Sequence, residues 1–151
     1  MGEDSSVSPS TKAGKPCVFC AIVAGEQPAD IVVDEPHALG FLDSHPLFLG
    51  HVLLVPREHV TTLKDLPAEQ VERFFRTVQR MEAAVEEALD CDGSMVLNNN
   101  IVSQSVPHLH VHVIPRNRGD GLRFWLGPRK KYDGDAADYA LRIATAYTSS
   151  A

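Results

Sequence analysis

The chain has 151 residues, 44% of them hydrophobic and 23% charged, with a formal net charge of −6. That is enough apolar material for one globular domain with its own core, and no second domain is required. The acidic balance argues against general nucleic-acid binding, no stretch is apolar enough to span a membrane, and MGEDSSVSPSTKAGK lacks the apolar centre of a signal peptide. These features predict a cytoplasmic protein.

Residues 1–15 are rich in Ser, Gly, Pro and charge and are expected to be a disordered tail. The remainder, 16–151, is expected to be one domain with a basic C-terminal extension from about residue 116. A short helical segment, VFCAIVAGE, follows Cys17 and ends near Gly25 and Pro28. Ile31–Asp34, Ala38–Asp43 and Gly50–Pro56 are rich in Val, Leu, Ile and Phe and are separated by Pro and Gly, which predicts sequential antiparallel strands. In PAEQVERFFRTVQRMEAAVEEALD, Val71, Phe74, Phe75, Val78, Met81, Val85 and Leu89 recur at helical spacing, with Pro67 suited to a first turn. Ser94–Leu97 should be a further strand, NNNIVSQS a polar loop, and Ala136–Tyr147 a terminal helix with Tyr139, Ile143 and Tyr147 on one side.

Between the loop and the basic extension lies HLHVHVIP, residues 108–115. Strict alternation is the strand period, so His108, His110 and His112 share one face and Leu109, Val111 and Val113 the other. An imidazole is costly to bury without a partner, and three aligned on an apolar strand point to chemistry. His37 and His45 are single histidines with no such company and are assigned no role. Along a strand, the Cα atoms of His108 and His112 stand roughly 13 Å apart, too far to share one ion easily. Two options remain open: an H-x-H pair sharing an open-sited zinc, or one histidine on a metal while its neighbour does covalent chemistry.

Three cysteines without an export signal argue against a disulfide framework. Cys91 is expected to be a buried small residue, whereas Cys17 and Cys20 form a C-x-x-C pair typical of metal or redox sites. A structural zinc needs four N or S ligands, and His59 and His108 are candidates to complete the pair. Between Arg116 and Lys131 six basic residues stand against one acid, Asp120, so this segment could steer a polyanion.

The run HLHVHVI resembles the signature of the histidine triad (HIT) superfamily. FLDSHPLFLGHVLLVPREHV resembles its strand-loop-strand segment, and CVFCAI resembles the start of its zinc-bearing bacterial branch. The resemblance spans about Cys17 to Arg118. It implies an α+β fold, an antiparallel sheet of about five strands with the long helix packed on it, and a homodimer formed through that helix and an edge strand. It further implies a nucleotidyl hydrolase or transferase acting at the α-phosphate of an AMP-containing nucleotide through a covalent nucleotidyl-histidine.

On that resemblance His110 matches the nucleophile, His112 the residue contacting phosphate and leaving group, and His51 a fourth histidine in the pocket. Ser105 and Gln104 match phosphate or leaving-group contacts, Asn98 an anchor at the ribose-phosphate, and Asp43 the acid holding the ribose hydroxyls. Phe19, Ile22, Phe41 and Leu53 match the pocket for the base, and Cys17, Cys20, His59 and His108 match the ligands of a structural zinc. Ser103 departs from the pattern, standing where many relatives have glycine, and RGDGLRFWLGPRKKY, with Phe124 and Trp125, has no counterpart in the core motif. Two other classes are compatible with these residues: a metal-dependent hydrolase using H-x-H, and a nucleotide-binding module with little turnover.

Overall fold

A computed structural model describes residues 16–123 and 129–150. The predicted tail, 1–15, and Phe124 and Trp125 lie outside the described residues. Five strands form one antiparallel sheet: β1 (Ile31–Asp34), β2 (Ala38–Leu42), β3 (Val52–Pro56), β4 (Gly93–Leu97) and β5 (Val111–Arg116), in spatial order β1-β2-β3-β5-β4. Helix α1 (Val18–Val23) precedes β1, and α2 (Ala68–Leu89) crosses from β3 to β4. The mixed α and β architecture expected from the sequence is thus present.

Strand alternation sorts the side chains onto two faces. Ala38, Val52, Leu54, Val111 and Val113 join Leu109 and the Phe74, Val78 and Val85 stripe of α2 in one buried cluster. Leu39, Phe41, Leu53 and Val55 face the other way and bury Phe19 of α1. Position 40 has no room for a side chain, because a Cβ there would lie 2.6 Å from Val33 Cγ1 and 2.7 Å from Leu54 Cδ2. Gly40 therefore lets β1, β2 and β3 close over the α2 face.

Several sequence expectations shift. The histidine strand begins at Val111, not His108, because the preceding backbone bonds elsewhere: Leu109 N donates to Val60 O at 2.7 Å. The strand also continues through Pro115, which pairs with Ser94 beyond the last β3 partner, Val52. Pro115 thus falls where β5 has one neighbour instead of two, a position a missing N–H tolerates. β3 starts at Val52 because Gly50 (φ +95°) and the His51 N to Phe48 O bond of 3.1 Å form a turn. In α2, Val71 and Leu89 are exposed at the ends of the stripe, where the sheet no longer covers the helix. Cys91 is half-buried, not buried, with Sγ 3.2 Å from Gly93 O.

The chain divides into two compact units, Met1–Asp120 and Gly121–Ala151. In the second, α3 spans Ala136–Ser149 and has no buried residue; Tyr139, Ile143 and Tyr147 are all exposed. No helix among the described residues is long and apolar enough to cross a membrane.

Candidate active site and metal cluster

The histidine segment crosses the α1 face of the sheet, where it borders a cavity of about 550 Å³. Phe19, Ile22, Phe41 and Leu53 line it as an apolar wall, and Asp43, Ser105, His110 and His112 supply polar groups. His112 lies opposite Leu53 in the β3–β5 ladder, which puts its ring on the cavity side. Phe19 meets His110 edge-on with centroids 5.1 Å apart.

Hydrogen bonds to the backbone fix what each ring can do. His110 Nδ1 is 2.7 Å from the His108 carbonyl. A carbonyl only accepts, so Nδ1 carries the proton and Nε2 is left with the lone pair. The Leu47 N–H donates to His51 Nδ1 at 3.2 Å, which makes that atom an acceptor and places the proton of a neutral His51 on Nε2. That proton is donated to His112 Nδ1 at 2.9 Å, so His112 presents Nε2–H as a donor. Two adjacent rings, with centroids 4.9 Å apart, therefore have opposite character: His110 offers a lone pair at Nε2 and His112 an N–H at Nε2.

Electrostatics keep this pattern. Burial is the main force pushing His112 down to about 4, with His110 and His51 lowering it further and Asp43 opposing them. Burial also lowers His51, against the pull of Asp43, whose Oδ2 lies 3.7 Å from His51 Nε2. At neutral pH His112 is an uncharged donor.

The other expected residues take different positions. His51 is 3% exposed and stands behind His112. Asn98 donates from Nδ2 to the His110 carbonyl at 3.0 Å, and its buried Oδ1 has no partner among the described residues. Gln104 accepts from Ile101 N at 3.0 Å and donates to Thr61 O at 2.6 Å, so both ends of its amide brace the loop. Ile101 (φ +67°) and Ser103 (φ +62°) adopt left-handed backbone in that loop, a strained state for a β-branched residue. Ser103, at the position often glycine in the resembling pattern, bends the chain without one.

The sequence missed several wall residues. Val18, Gln27, Asp30, Ser44, His45 and Val106 also line the cavity. His45, assigned no role from the sequence, is held beside Asp43, whose Oδ1 accepts its N–H at 2.9 Å. An Asp accepting from a backbone N–H two residues on is the turn that D-S-H-P favours, and it was the available signal. His37 is an ordinary bonded histidine, with Nε2 3.0 Å from Thr77 Oγ1 and 3.2 Å from Glu35 Oε2.

Below the cavity, Cys17, Cys20, His59 and His108 converge, with their ligand atoms all within 4.8 Å of one another. His108 Nδ1 lies 3.5 Å from Cys17 Sγ and 3.4 Å from Cys20 Sγ, and His59 Nδ1 lies 3.1 Å from Cys20 Sγ. The ligand–ligand edges of a tetrahedral zinc site are about 3.3–3.8 Å, given its bond lengths. His108 Nε2 donates to Pro56 O at 2.9 Å, which leaves Nδ1 as the ligating atom. Burial, and then the adjacent Cys17 sulfur, pushes the Cys20 thiol up to about 11. A divalent cation is the partner that makes such a sulfur a stable thiolate. The donor set therefore fits a metal ion.

A second group, Asp43, His51 and His112, also has donor atoms within 4.8 Å of one another. It suits a metal poorly, because His51 Nε2 carries the proton set by Leu47 and would have to become an imidazolate to ligate. His110 belongs to neither group, and its Nδ1 is taken by the His108 carbonyl. The described residues thus do not assemble an H-x-H zinc.

A five-stranded antiparallel sheet that brings alternating histidines to the mouth of one cavity is the architecture of histidine-triad proteins. The chain belongs to the HIT family: the HIT domain matches residues 24–119. It is 37% identical over 121 residues to an uncharacterized HIT-like protein of Methanocaldococcus jannaschii, covering 79% of this chain and 93% of that one. It is 34% identical over 109 residues to the adenosine 5'-monophosphoramidase of Saccharomyces cerevisiae, covering 70% and 66% of the two chains. Among solved structures, a zinc-bound histidine triad family protein from Mycobacterium smegmatis superposes with a TM-score of 0.67 at 38% identity, covering 89% of this chain and 96% of that one.

Proposed function

We propose that the protein is a nucleotidyl hydrolase or transferase that cleaves AMP-containing nucleotides at the α-phosphate through a nucleotidyl-His110 intermediate. The observation that carries this reading is the paired tautomer: an open Nε2 lone pair on His110 beside an Nε2–H on His112, both at the cavity. His110 Nε2 attacks the α-phosphorus and a P–N bond forms. The bond to the leaving nitrogen or oxygen breaks while the His112 Nε2–H hydrogen-bonds the departing atom, which takes its proton from solvent. Water then attacks the phosphorus and gives up a proton to solvent, the P–N bond breaks, AMP leaves and the His110 lone pair is restored; an acceptor in place of water gives transfer.

The other residues hold the substrate. Asp43 accepts from the ribose hydroxyls, and Phe19, Ile22, Phe41 and Leu53 enclose the base. Ser105 and His51 act at the phosphate, Ser105 directly and His51 through His112. Asn98 and Gln104 keep the segment carrying His110 and Ser105 in place, in addition to the nucleotide contacts expected of them. The amidase activity in the name of the yeast relative supports a phosphoramidate as substrate, with dinucleoside polyphosphates the second class to test.

Cys17, Cys20, His59 and His108 would hold a structural zinc, supported by the zinc-bound relative. Four protein ligands leave no position for water, so the ion supplies a cross-link between α1 and the histidine segment, not a Lewis acid. A thiolate ligand set suits a reducing, cytoplasmic compartment. A homodimer through α2 and an edge strand belongs to the same reading; β4 is at the sheet edge and exposes Val96.

Intact-protein mass spectrometry tests the mechanism. The protein is mixed with AMP phosphoramidate or a diadenosine polyphosphate and quenched without acid, and AMP release is followed in parallel. The expected result is an AMP-sized adduct or AMP release that is absent in His110→Ala. Folded protein that binds AMP yet gives neither signal with either substrate would identify a binding module instead.

A further inference from the structure

The connection from β3 to α2 turns through a short 3₁₀ helix, Leu63–Asp65, and neither Thr62 nor Asp65 lines the cavity. Asp65 holds this turn from both ends. Its Oδ2 accepts the Thr62 Oγ1–H at 2.6 Å and the Thr62 N–H at 3.0 Å, and its own N–H donates to the Thr62 carbonyl at 3.0 Å. Thr62 itself is buried, 3% exposed. The side-chain bond from Thr62, and then the backbone one, hold the Asp65 carboxyl below the ordinary carboxylate range, so it is an ionised acceptor at neutral pH.

The peptides on either side of Thr62 also reach the loop that precedes the histidines. A peptide unit is planar, with its N–H and C=O on opposite sides, so fixing one end aims the other. In the 61–62 peptide the N–H is bonded to Asp65 Oδ2, and the Thr61 carbonyl accepts from Gln104 Nε2 at 2.6 Å. In the 62–63 peptide the carbonyl is bonded to Asp65 N, and the Leu63 N–H donates to Asn100 Oδ1 at 2.9 Å. Asp65 thus holds one end of both peptides, and the loop is tied to the other. Between those two ties lie Ile101 and Ser103 in left-handed backbone, a state that persists only where its surroundings hold it. Ser105, next after Gln104, is on the cavity wall.

Resting on the nucleotide reading, in which Ser105 acts at the phosphate, we propose that Asp65 is a positioning residue for the reaction. Through the 61–62 and 62–63 peptides it sets where Ser105 meets the α-phosphate, without touching substrate itself. The base and ribose contacts come from α1, β2, β3 and Asp43 instead of from this loop. Loss of Asp65 therefore weakens the transition state and leaves ground-state binding in place.

Steady-state AMP release by the full chain, from AMP phosphoramidate and from a diadenosine polyphosphate, tests this in a double-mutant cycle of Asp65→Ala and Ser105→Ala. Asp65→Ala lowers kcat about three- to tenfold, the worth of a hydrogen bond, with little change in KM. Asp65→Asn, which keeps an oxygen acceptor for Thr62, recovers most of that loss. In the Ser105→Ala background Asp65→Ala has no further effect on kcat, whereas a merely structural role would give the same loss in both backgrounds. If Asp65→Ala does not fold, Thr62→Val, which removes only the Oγ1 bond to Asp65, takes its place in the cycle with about a threefold loss expected. An unchanged kcat, a loss confined to KM, no recovery in Asp65→Asn, or equal losses with and without Ser105 overturns the assignment and leaves the nucleotide reading standing. Folded wild type that releases AMP from neither substrate overturns both.

Discussion

Two groups of histidines lie within one short stretch of the sheet, and the same side chain does different work in each. At the Cys17–Cys20–His59–His108 cluster, the Pro56 carbonyl holds the Nε2 proton of His108 and turns Nδ1 towards two sulfurs. Two residues on, the His108 carbonyl holds the Nδ1 proton of His110 and leaves Nε2 for the cavity. At His51 the partner is reversed: the Leu47 N–H donates, and the proton moves to the opposite nitrogen. The role of each ring follows from whether the backbone offers it a carbonyl or an amide. Alternation puts the triad rings on a face, but the backbone partner decides which nitrogen of each ring keeps its lone pair: Nδ1 at His108, Nε2 at His110 and Nδ1 at His51.

The comparison breaks most sharply at His110. His110→Ala removes the Nε2 lone pair that the proposed chemistry uses, and steady-state AMP release should fall by roughly a thousandfold or more while AMP binding persists. A residual rate within tenfold of wild type would assign the nucleophile elsewhere. The metal cluster should respond in the opposite sense, through stability before chemistry. Cys20→Ser should lower bound zinc well below one per chain by elemental analysis. It should also lower the thermal midpoint by roughly 10 °C, since metal binding energy is folding energy. Normal metal content and an unchanged midpoint would remove the cluster's structural role.

His51→Ala should have an intermediate effect, about 10–100-fold on kcat with little change in KM, because it deprives His112 of the bond that orients its proton. A loss confined to KM would make His51 a binding residue. The smallest effect is on pH dependence. His112 is held down to about 4 by burial, whereas the unfolded ring titrates near 6.5. Its neutral form therefore supports folding fully above pH 6.5, and that support is lost as pH falls from there towards about 4. Urea midpoints should decline over this range in wild type and decline less in His112→Gln; parallel curves would show that the ring is not held neutral.

Much of the site could be read from local pattern. H-x-H-x-H alternation drew attention to three rings although only His112 lies within the strand, and C-x-x-C marked two cysteines that do converge with His59 and His108, because residues three apart meet across one helical turn. Phe74, Val78 and Val85 were recognisable as core from their helical spacing. The ends of that same stripe, Val71 and Leu89, were not, since periodicity reports a face and not how far the sheet extends beneath it. His45 and Gln27 stayed hidden for a related reason. Each occupies an irregular stretch whose direction is set by main-chain hydrogen bonds, to Asp43 and Ala21, that no periodicity encodes.

By itself the sequence determined which residues could do chemistry, their division between two faces, and the order of the elements that carry them. It did so because side-chain type and the periods of helix and strand are local properties. Only the tertiary structure decided which nitrogen of each histidine carries the proton, which amides face the backbone, and which loop residues reach the cavity. Those outcomes depend on carbonyls and N–H groups brought in from distant segments: Pro56 to His108 and Leu47 to His51. A hydrogen-bond partner 52 residues away leaves no mark on the local pattern of the chain it constrains.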